Sequence, residues 1–234
     1  MIDREPLVVR LQEVGSEDTG RVGGKNASLG EMIATLAGAG IRVPDGFATT
    51  AAAYRAFLHA NELEPVLRER LARLAPDHAN LAEVGTGVRQ TILAGELPAA
   101  LVEEVRRAYA EMAGAGEPAT VAVRSSATAE DLPQASFAGQ LETYLNVTGE
   151  AALFDALKHS LASLFTDRAI VYRENNGFDH LEVALSVGVQ LMVRSDLACS
   201  GVMFSIDTET GFPGVVLING AWGLGETVVQ GMVE

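Results

Sequence analysis

Two basic residues in this sequence stand where they could hold a chain of phosphates. Lys25 follows Gly23-Gly24 and precedes Asn26, after which Leu29, Met32, Ile33 and Leu36 recur at helical spacing. With Asn26 as N-cap, the lysine lies just ahead of a helix start, beside backbone N–H groups and the positive end of the helix dipole. A glycine turn carrying a solvated lysine is the plain alternative. The spacing is not that of a P-loop, because Gly15 and Gly20 are followed by Arg21-Val22, where Lys and then Ser or Thr are required.

Arg124 is the second. It sits in the run VAVRSS, where alternation puts Val121, Val123 and Ser125 on one strand face and Ala122, Arg124 and Ser126 on the other. The run breaks into a loop rich in Ser, Thr and Ala that contains Pro133 and Gly139, then resumes as a β-prone stretch at 143–147. A rigid guanidinium fork facing a loop of hydroxyls and amides suits a polyphosphate. A hairpin with a long surface loop, its arginine paired to Glu130 or Asp131, is the alternative, since long loops are either functional or simply mobile. Gln190, polar within the apolar run 184–193, is either a solvent-face strand residue or an amide facing a ligand.

The other reactive side chains lack such a setting. Cys199 is the only cysteine, which excludes an internal disulfide and a thiolate metal cluster. With no His or Lys beside it, it reads as a small buried or half-buried residue rather than a nucleophile. His59 and His78 have no companions at ligand spacing and read as surface residues. The 31 acidic residues against 17 Lys+Arg give a net charge of −14, which argues against nucleic acid as a partner. A phosphate-bearing ligand must then be held by a few local cations against an unfavourable overall field.

The elements that must carry these residues follow from the same pattern. With 48% hydrophobic and 21% charged residues, 234 residues can bury a sizeable core as one large domain or two intimate ones. Residues 6–11 read as a strand, 41–47 as a strand running into a turn, and 50–59 as a helix. Several helices fill 64–109, punctuated by Pro76, Pro98 and the glycines at 85, 87 and 95. Gly114-Ala115-Gly116 is the best hinge, dividing an N-terminal subdomain (1–115) from a β-rich one (116–234). Leu153, Leu157, Leu161 and Leu164 stripe a helix beginning near Gly149, a second helix covers 167–173, and β-prone runs follow at 184–193, 200–206 and 214–218. Gly223 and Gly225 supply only part of a dinucleotide fingerprint. The start, MIDREPLVV, lacks the character of a signal peptide, and no apolar run reaches the roughly 18 residues of a membrane span. A soluble, cytoplasmic protein without a membrane partner is expected. The abrupt end at Val233-Glu234 reads as a cut from something longer.

Five extended motifs, in order, carry a resemblance: VGGKNASLGEM at 22–32, VPDGFATTAAAYRAFL at 43–58, VAVRSSATAEDLPQASFAGQLETYLNV at 121–147, CSGVMFSIDTETGF at 199–212 and GAWGLGETVVQG at 220–231. Together they resemble the N-terminal nucleotide-binding region of the phosphoenolpyruvate synthases (pyruvate, water dikinases), within the family of phosphoenolpyruvate-utilising enzymes. Pyruvate phosphate dikinases share the Gly-Gly-Lys and Val-Arg-Ser elements but usually differ in the loop at 127–133, and rifampin phosphotransferases carry a related ATP domain. A related dikinase, an antibiotic phosphotransferase or a stand-alone nucleotide-binding module are therefore the other readings.

The resemblance implies an α+β, ATP-grasp-like nucleotide-binding domain, incomplete here, with mixed sheets, flanking helices and a helical insert. In that family a histidine on a separate swivelling domain attacks the β-phosphate of ATP and carries phosphate to a barrel domain, where pyruvate becomes phosphoenolpyruvate, with AMP and phosphate released. By motif, Lys25 and Arg124 would neutralise phosphate oxygens, with Arg124 the catalytic cation. Gly139, with Ser136 and Ala138, would form a closing loop, and Thr143 and Gln190 would contact the nucleotide from the strands. The carboxylates that hold Mg²⁺ and the Gln-x-Arg-Pro element belong to the family's continuation beyond this chain, as do the histidine and pyruvate domains. None of His59, His78, His159 and His180 matches the phosphorylated histidine. The resemblance extends to a homodimer for the full-length protein.

Overall fold

The computed structural model describes residues 5–113, 117–128, 131–132, 135–136 and 142–232. It divides into two compact units, Met1–Met192 and Val193–Glu234. The strands are β1 (Val8–Arg10), β2 (Gly46–Thr49), β3 (Thr120–Ala127), β4 (Asp131–Leu132), β5 (Ala135–Ser136), β6 (Thr143–Thr148), β7 (Leu185–Leu191), β8 (Cys199–Phe204) and β9 (Leu217–Trp222). The helices are α1 (Thr19–Leu36), α2 (Ala51–Ala60), α3 (Leu63–Leu71), α4 (Leu81–Ala94), α5 (Ala99–Met112), α6 (Glu150–Ser163), α7 (Asp167–Asn176) and α8 (Glu226–Val229).

Five strands form one sheet in the order β1-β2-β7-β3-β6, with each neighbouring pair antiparallel. The α+β class holds. The mixed sheets expected from the resemblance do not: each strand pair among the described residues is antiparallel. The boundary placed at 115/116 also differs from the compact units. β3 lies beyond it in sequence, yet shares the sheet that β1 and β2 begin, so the chain on both sides of 115 builds one core. Residues 114–116 lie outside the described ones.

The alternation read at 121–126 decides which layer each side chain enters. Phe47, Val121, Val123, Val187 and Val189 face the helical layer and join Phe57, Leu101, Val105, Leu153 and Leu157 in the main core. Ser125 points the same way, its hydroxyl 2.9 Å from that of Ser163 on α6. The leucine stripe of α6 is buried as its spacing demands, and each such leucine contributes about 1.5–3 kcal/mol. On the opposite face α1 closes a smaller core of Val9, Leu11, Val14, Val22, Ala27 and Ala48. β3 and β7 are therefore covered on both sides, and their near-continuous burial follows.

Local signals fix the ends. Thr50 caps α2 by accepting the Ala53 N–H at 3.3 Å, and Gly177 ends α7 in the left-handed region at φ 68°. Gly85 and Gly87, read as breaks, instead lie inside α4, where Asp167, Arg89 and Arg70 press on them. The Tyr109 hydroxyl donates to Ala119 O at 2.5 Å and accepts the Gly149 N–H at 2.9 Å, tying α5 to the entrances of β3 and α6.

His180 and Arg173 show how α7 is held. Arg173 is fully buried, its guanidinium 5.1 Å from the Phe165 ring centroid, and its Nε donates to His180 Nδ1 at 3.0 Å. Arginine can only donate, so Nδ1 must be bare, and Nε2 carries the proton toward Glu174 Oε1 at 2.7 Å. Burial first, and the Arg173 charge second, hold His180 below its ordinary value of 6.5, while burial lowers Arg173 to about 10.

The second unit is a hairpin, β8 paired antiparallel with β9 in the register Cys199↔Trp222 to Phe204↔Leu217, followed by α8. The last β-prone run therefore starts at Leu217 rather than Gly214. Cys199 is exposed, not buried or half-buried as expected, because it lies on the hairpin face that also exposes Met203, Ile218 and Trp222. Among the described residues no helix is long and apolar enough to cross a membrane.

The unfolded chain takes up a proton at a histidine more readily than the folded chain does at His180. Stability should therefore be fully present above pH 6.5 and decline as pH falls below it. Urea unfolding between pH 7.5 and 5.5 should show that decline, and His180→Gln should flatten it.

Candidate functional site

The Gly-Gly pair ahead of Lys25 is used for close approach rather than for a turn before a helix. α1 runs from Thr19 to Leu36 but breaks at Gly23, where φ 74° and ψ 160° leave the helical region. Only glycine takes that conformation without strain. A Cβ there would also fall 2.3 Å from Ser126 Oγ and 2.5 Å from Ser126 O, so helix and strand touch backbone to backbone.

The helix thus restarts at Gly24, and Asn26 is not its N-cap. Asn26 lies inside the helix, 1% exposed, with its backbone N–H directed at Ser126 Oγ at 3.5 Å. Part of the capping role has passed to a serine from the sheet. Of the residues expected on one face, Leu29, Met32, Ile33 and Leu36, Leu29 and Ile33 pack against the smaller core while Met32 is exposed. The face turned inward is made of Val22, Gly23, Gly24, Asn26, Ala27 and Gly30, small enough to bring the backbone close to β3 and β7. Lys25, on the first turn after the break, is half-buried.

Register places the sheet residues. Arg124 pairs with Thr143 of β6 on one side and Gly188 of β7 on the other, and Gln190 pairs with Ala122. Cross-strand partners share a face. Arg124, Thr143, Gln190 and Ser126 therefore line the α1 side of the sheet, the side on which Lys25 sits. Arg124 is half-buried and Thr143 exposed. Among the described residues, no carboxylate is within ion-pairing distance of Arg124. The Glu130 of the hairpin alternative, and the side chain of Asp131, lie outside the described residues. Gln190 is half-buried and donates from Nε2 to Pro44 O at 2.9 Å, which holds its amide at the base of this face. Ser136 is placed only by backbone, opposite Asp131 in the β4–β5 ribbon. Gly139 lies outside the described residues, as does Ala138.

Arg124, exposed Thr143 and α1 with Lys25 thus share one side of the sheet, in a chain of net charge −14. Metal chemistry has no comparable support: among the described residues no group of three or more His, Cys, Asp or Glu is placed to hold an ion. The described residues therefore offer no ligand set for Mg²⁺. A groove of about 640 Å³ on α3 and α4, lined by Arg70, Arg73, Asn80, Glu83 and Gln90 among others, lies in the helical layer instead. Its arginines are offset by Glu83 and by the pairing of Arg73 with Glu69.

Three residues of this site escaped the sequence reading. Ser126 carried only its strand parity, Ser186 no signal at all, and Gly188 the signal of a glycine inside a strand, which marks a close backbone approach.

A family model described as the pyruvate phosphate dikinase AMP/ATP-binding domain matches residues 19–234. The phosphoenolpyruvate synthase of Pseudomonas aeruginosa (strain UCBPP-PA14) is 57% identical over 228 residues, covering 97% of this chain and 29% of that protein. That of Escherichia coli (strain K12) is 56% identical over 230 residues, 98% of this chain and 29% of that protein. That of Aquifex aeolicus (strain VF5) is 53% identical over 230 residues, 97% of this chain and 27% of that protein. The chain thus spans less than a third of the length of these relatives.

Gly23→Ala should meet both a forbidden φ and the Ser126 carbonyl. It should cost at least about 1–3 kcal/mol for the backbone conformation alone, read as a lowered urea midpoint, whereas Gly38→Ala, with open space around its Cβ position, should be close to neutral.

Proposed function

The chain belongs to the pyruvate phosphate dikinase AMP/ATP-binding domain family, and from that membership we propose that it is the ATP-binding part of a phosphoenolpyruvate synthase. The relatives that carry that name match nearly all of it. The observation that carries the site is the register that sets Arg124 between Thr143 and Gly188, on the sheet face covered by α1.

On this reading the triphosphate lies along that face. Lys25 and Arg124 neutralise its oxygens, with the fork of Arg124 able to take two oxygens and the ammonium of Lys25 acting as a point charge. Thr143 and Gln190 contact the nucleotide from β6 and β7, and Ser136 and Gly139 belong to a loop that closes over the phosphates. Phosphoryl transfer asks mainly for positioning and charge neutralisation, which these residues supply. The antiparallel sheet with helices on both faces supports the finer assignment of an ATP-grasp-like fold, with the rest of the nucleotide pocket and the Mg²⁺ carboxylates further along the longer protein.

The whole reaction belongs to that longer protein: ATP, pyruvate and water give phosphoenolpyruvate, AMP and phosphate through a phosphohistidine carried by another domain, in the cytoplasm and in a homodimer. None of the four histidines here supports the phosphorylated role. His180 in particular has both ring nitrogens engaged, by Arg173 and Glu174.

Calorimetric titration with Mg-ATP tests the reading directly, with binding expected. Arg124→Ala should weaken it roughly ten- to hundredfold, in line with the about 1.5–3 kcal/mol of a hydrogen bond to a charged group, while the far-ultraviolet circular dichroism stays unchanged. A folded variant that binds Mg-ATP as tightly as the parent would remove Arg124 from the site.

A further inference from the structure

Between α1 and the sheet lies a buried polar junction that no phosphate contact explains. Asn26, Ser126, Ser186 and Thr49 are each 2% exposed or less, and they come from α1, β3, β7 and β2. Asn26 Nδ2 donates to Val22 O at 3.0 Å and to Ser186 Oγ at 2.9 Å, which uses both amide hydrogens. Ser186 Oγ passes its own proton to Thr49 O at 2.5 Å, and Thr49 Oγ1 accepts the Val187 N–H at 2.9 Å. The carboxamide oxygen lies 2.2 Å from the place a Cβ on Gly188 would occupy. A side chain at 188 would have to displace the Asn26 carboxamide.

The junction is flanked by the two cations. Lys25 immediately precedes Asn26 in the chain. Arg124 is the cross-strand partner of Gly188 and lies two residues from Ser126 on the same strand face. One side chain thus fastens the turn that carries the ammonium to the strand pair that carries the guanidinium.

We propose that Asn26 is a positioning residue that sets the spacing between Lys25 and Arg124, so that both reach one polyphosphate. It touches no ligand itself, and the proposal rests on the phosphate-binding reading given above. The physical reason is geometric: two cations serve adjacent phosphates only at a fixed separation, and a displacement of about 1 Å can cost up to roughly a hundredfold. A buried amide is suited to this task because its directional bonds admit one arrangement, whereas apolar packing tolerates sliding.

Two probes, Mg-ATP and inorganic tripolyphosphate, are titrated into the full chain, into Asn26→Ala, Gly188→Ala and the double variant, with amide hydrogen exchange followed at 24–27. Asn26→Ala should remain folded, bind both probes roughly ten- to hundredfold more weakly, and exchange faster at 24–27. Gly188→Ala alone should do the same by displacing the carboxamide. In the Asn26→Ala background its methyl enters vacated space, so the double variant should bind no worse than Asn26→Ala. Unchanged affinity in a folded Asn26→Ala overturns the proposal even if exchange quickens, since the junction is then structural only. Equal damage from Gly188→Ala in both backgrounds overturns it as well. A parent chain that binds tripolyphosphate but not Mg-ATP removes the nucleotide reading and leaves the positioning test intact. A parent that binds neither overturns both.

Discussion

The structure depends on one close approach. At Gly23 the backbone of α1 comes so near the backbone of β3 that a single methyl group would meet Ser126 Oγ at 2.3 Å and its carbonyl at 2.5 Å. Without that contact the helix could not turn at Gly23, restart at Gly24 and present Lys25 above the sheet. The rest of the α1 interface is built to the same tolerance. Gly30 lies where a Cβ would fall 2.1 Å from Val14 O, and Ala27 fills the space between. Large side chains such as leucine hold packed layers apart; contacts made by glycine, alanine and asparagine let the backbones come closer. Closeness is what lets residues of a helix and residues of a strand act on the same small ligand.

That closeness also decides where polar groups go. A buried interface without bulky side chains exposes backbone carbonyls and N–H groups to one another, and each must find a partner. Asn26, Ser126, Ser186 and Thr49 supply those partners with short side chains. The opposite face of the sheet does not have this problem. There phenylalanine, valine and leucine from β2, β3, β7 and the helices keep the layers apart and leave few polar groups to satisfy. One sheet therefore has a thick apolar side that stabilises and a thin polar side that positions. Lys25 on α1 and Arg124 on β3 belong to the thin side.

How much of this could be read beforehand follows from what kind of signal each feature leaves. The strand parity at 121–126 and the leucine stripe of α6 are local patterns, and both hold in the structure. The layer arrangement is not local. The division at 115/116 rests on a composition dip alone, whereas the sheet that joins both sides is closed by β7, far along the chain. Asn26 reads as an N-cap because caps are recognised by residue type next to an apolar stripe. Its actual role is set by Ser186 and Gly188, which no spacing rule connects to it. Cys199 reads as buried because small cysteines usually are, and the hairpin register alone puts it beside the exposed Trp222. Motif resemblance is what singles out Lys25 and Arg124 as candidate cations, since motifs retain the outcome of long-range packing even where its cause is invisible.

The position of β7 in the sheet has a consequence for how the protein comes to exist. β2 and β3 are not neighbours; β7 lies between them and bonds to both. As the chain emerges from the ribosome, β1 can pair with β2 and β3 with β6, but each is only a two-stranded ribbon, and such ribbons are marginal in water. The two halves have no shared backbone bond until Leu185–Leu191 is made. Lys25 belongs to the first half and Arg124 to the second. The late strand therefore completes the sheet and joins the half that carries Lys25 to the half that carries Arg124, and a chain stalled before residue 185 has no finished sheet. Pairing across so long a stretch of chain carries a loop-closure cost that local pairings do not.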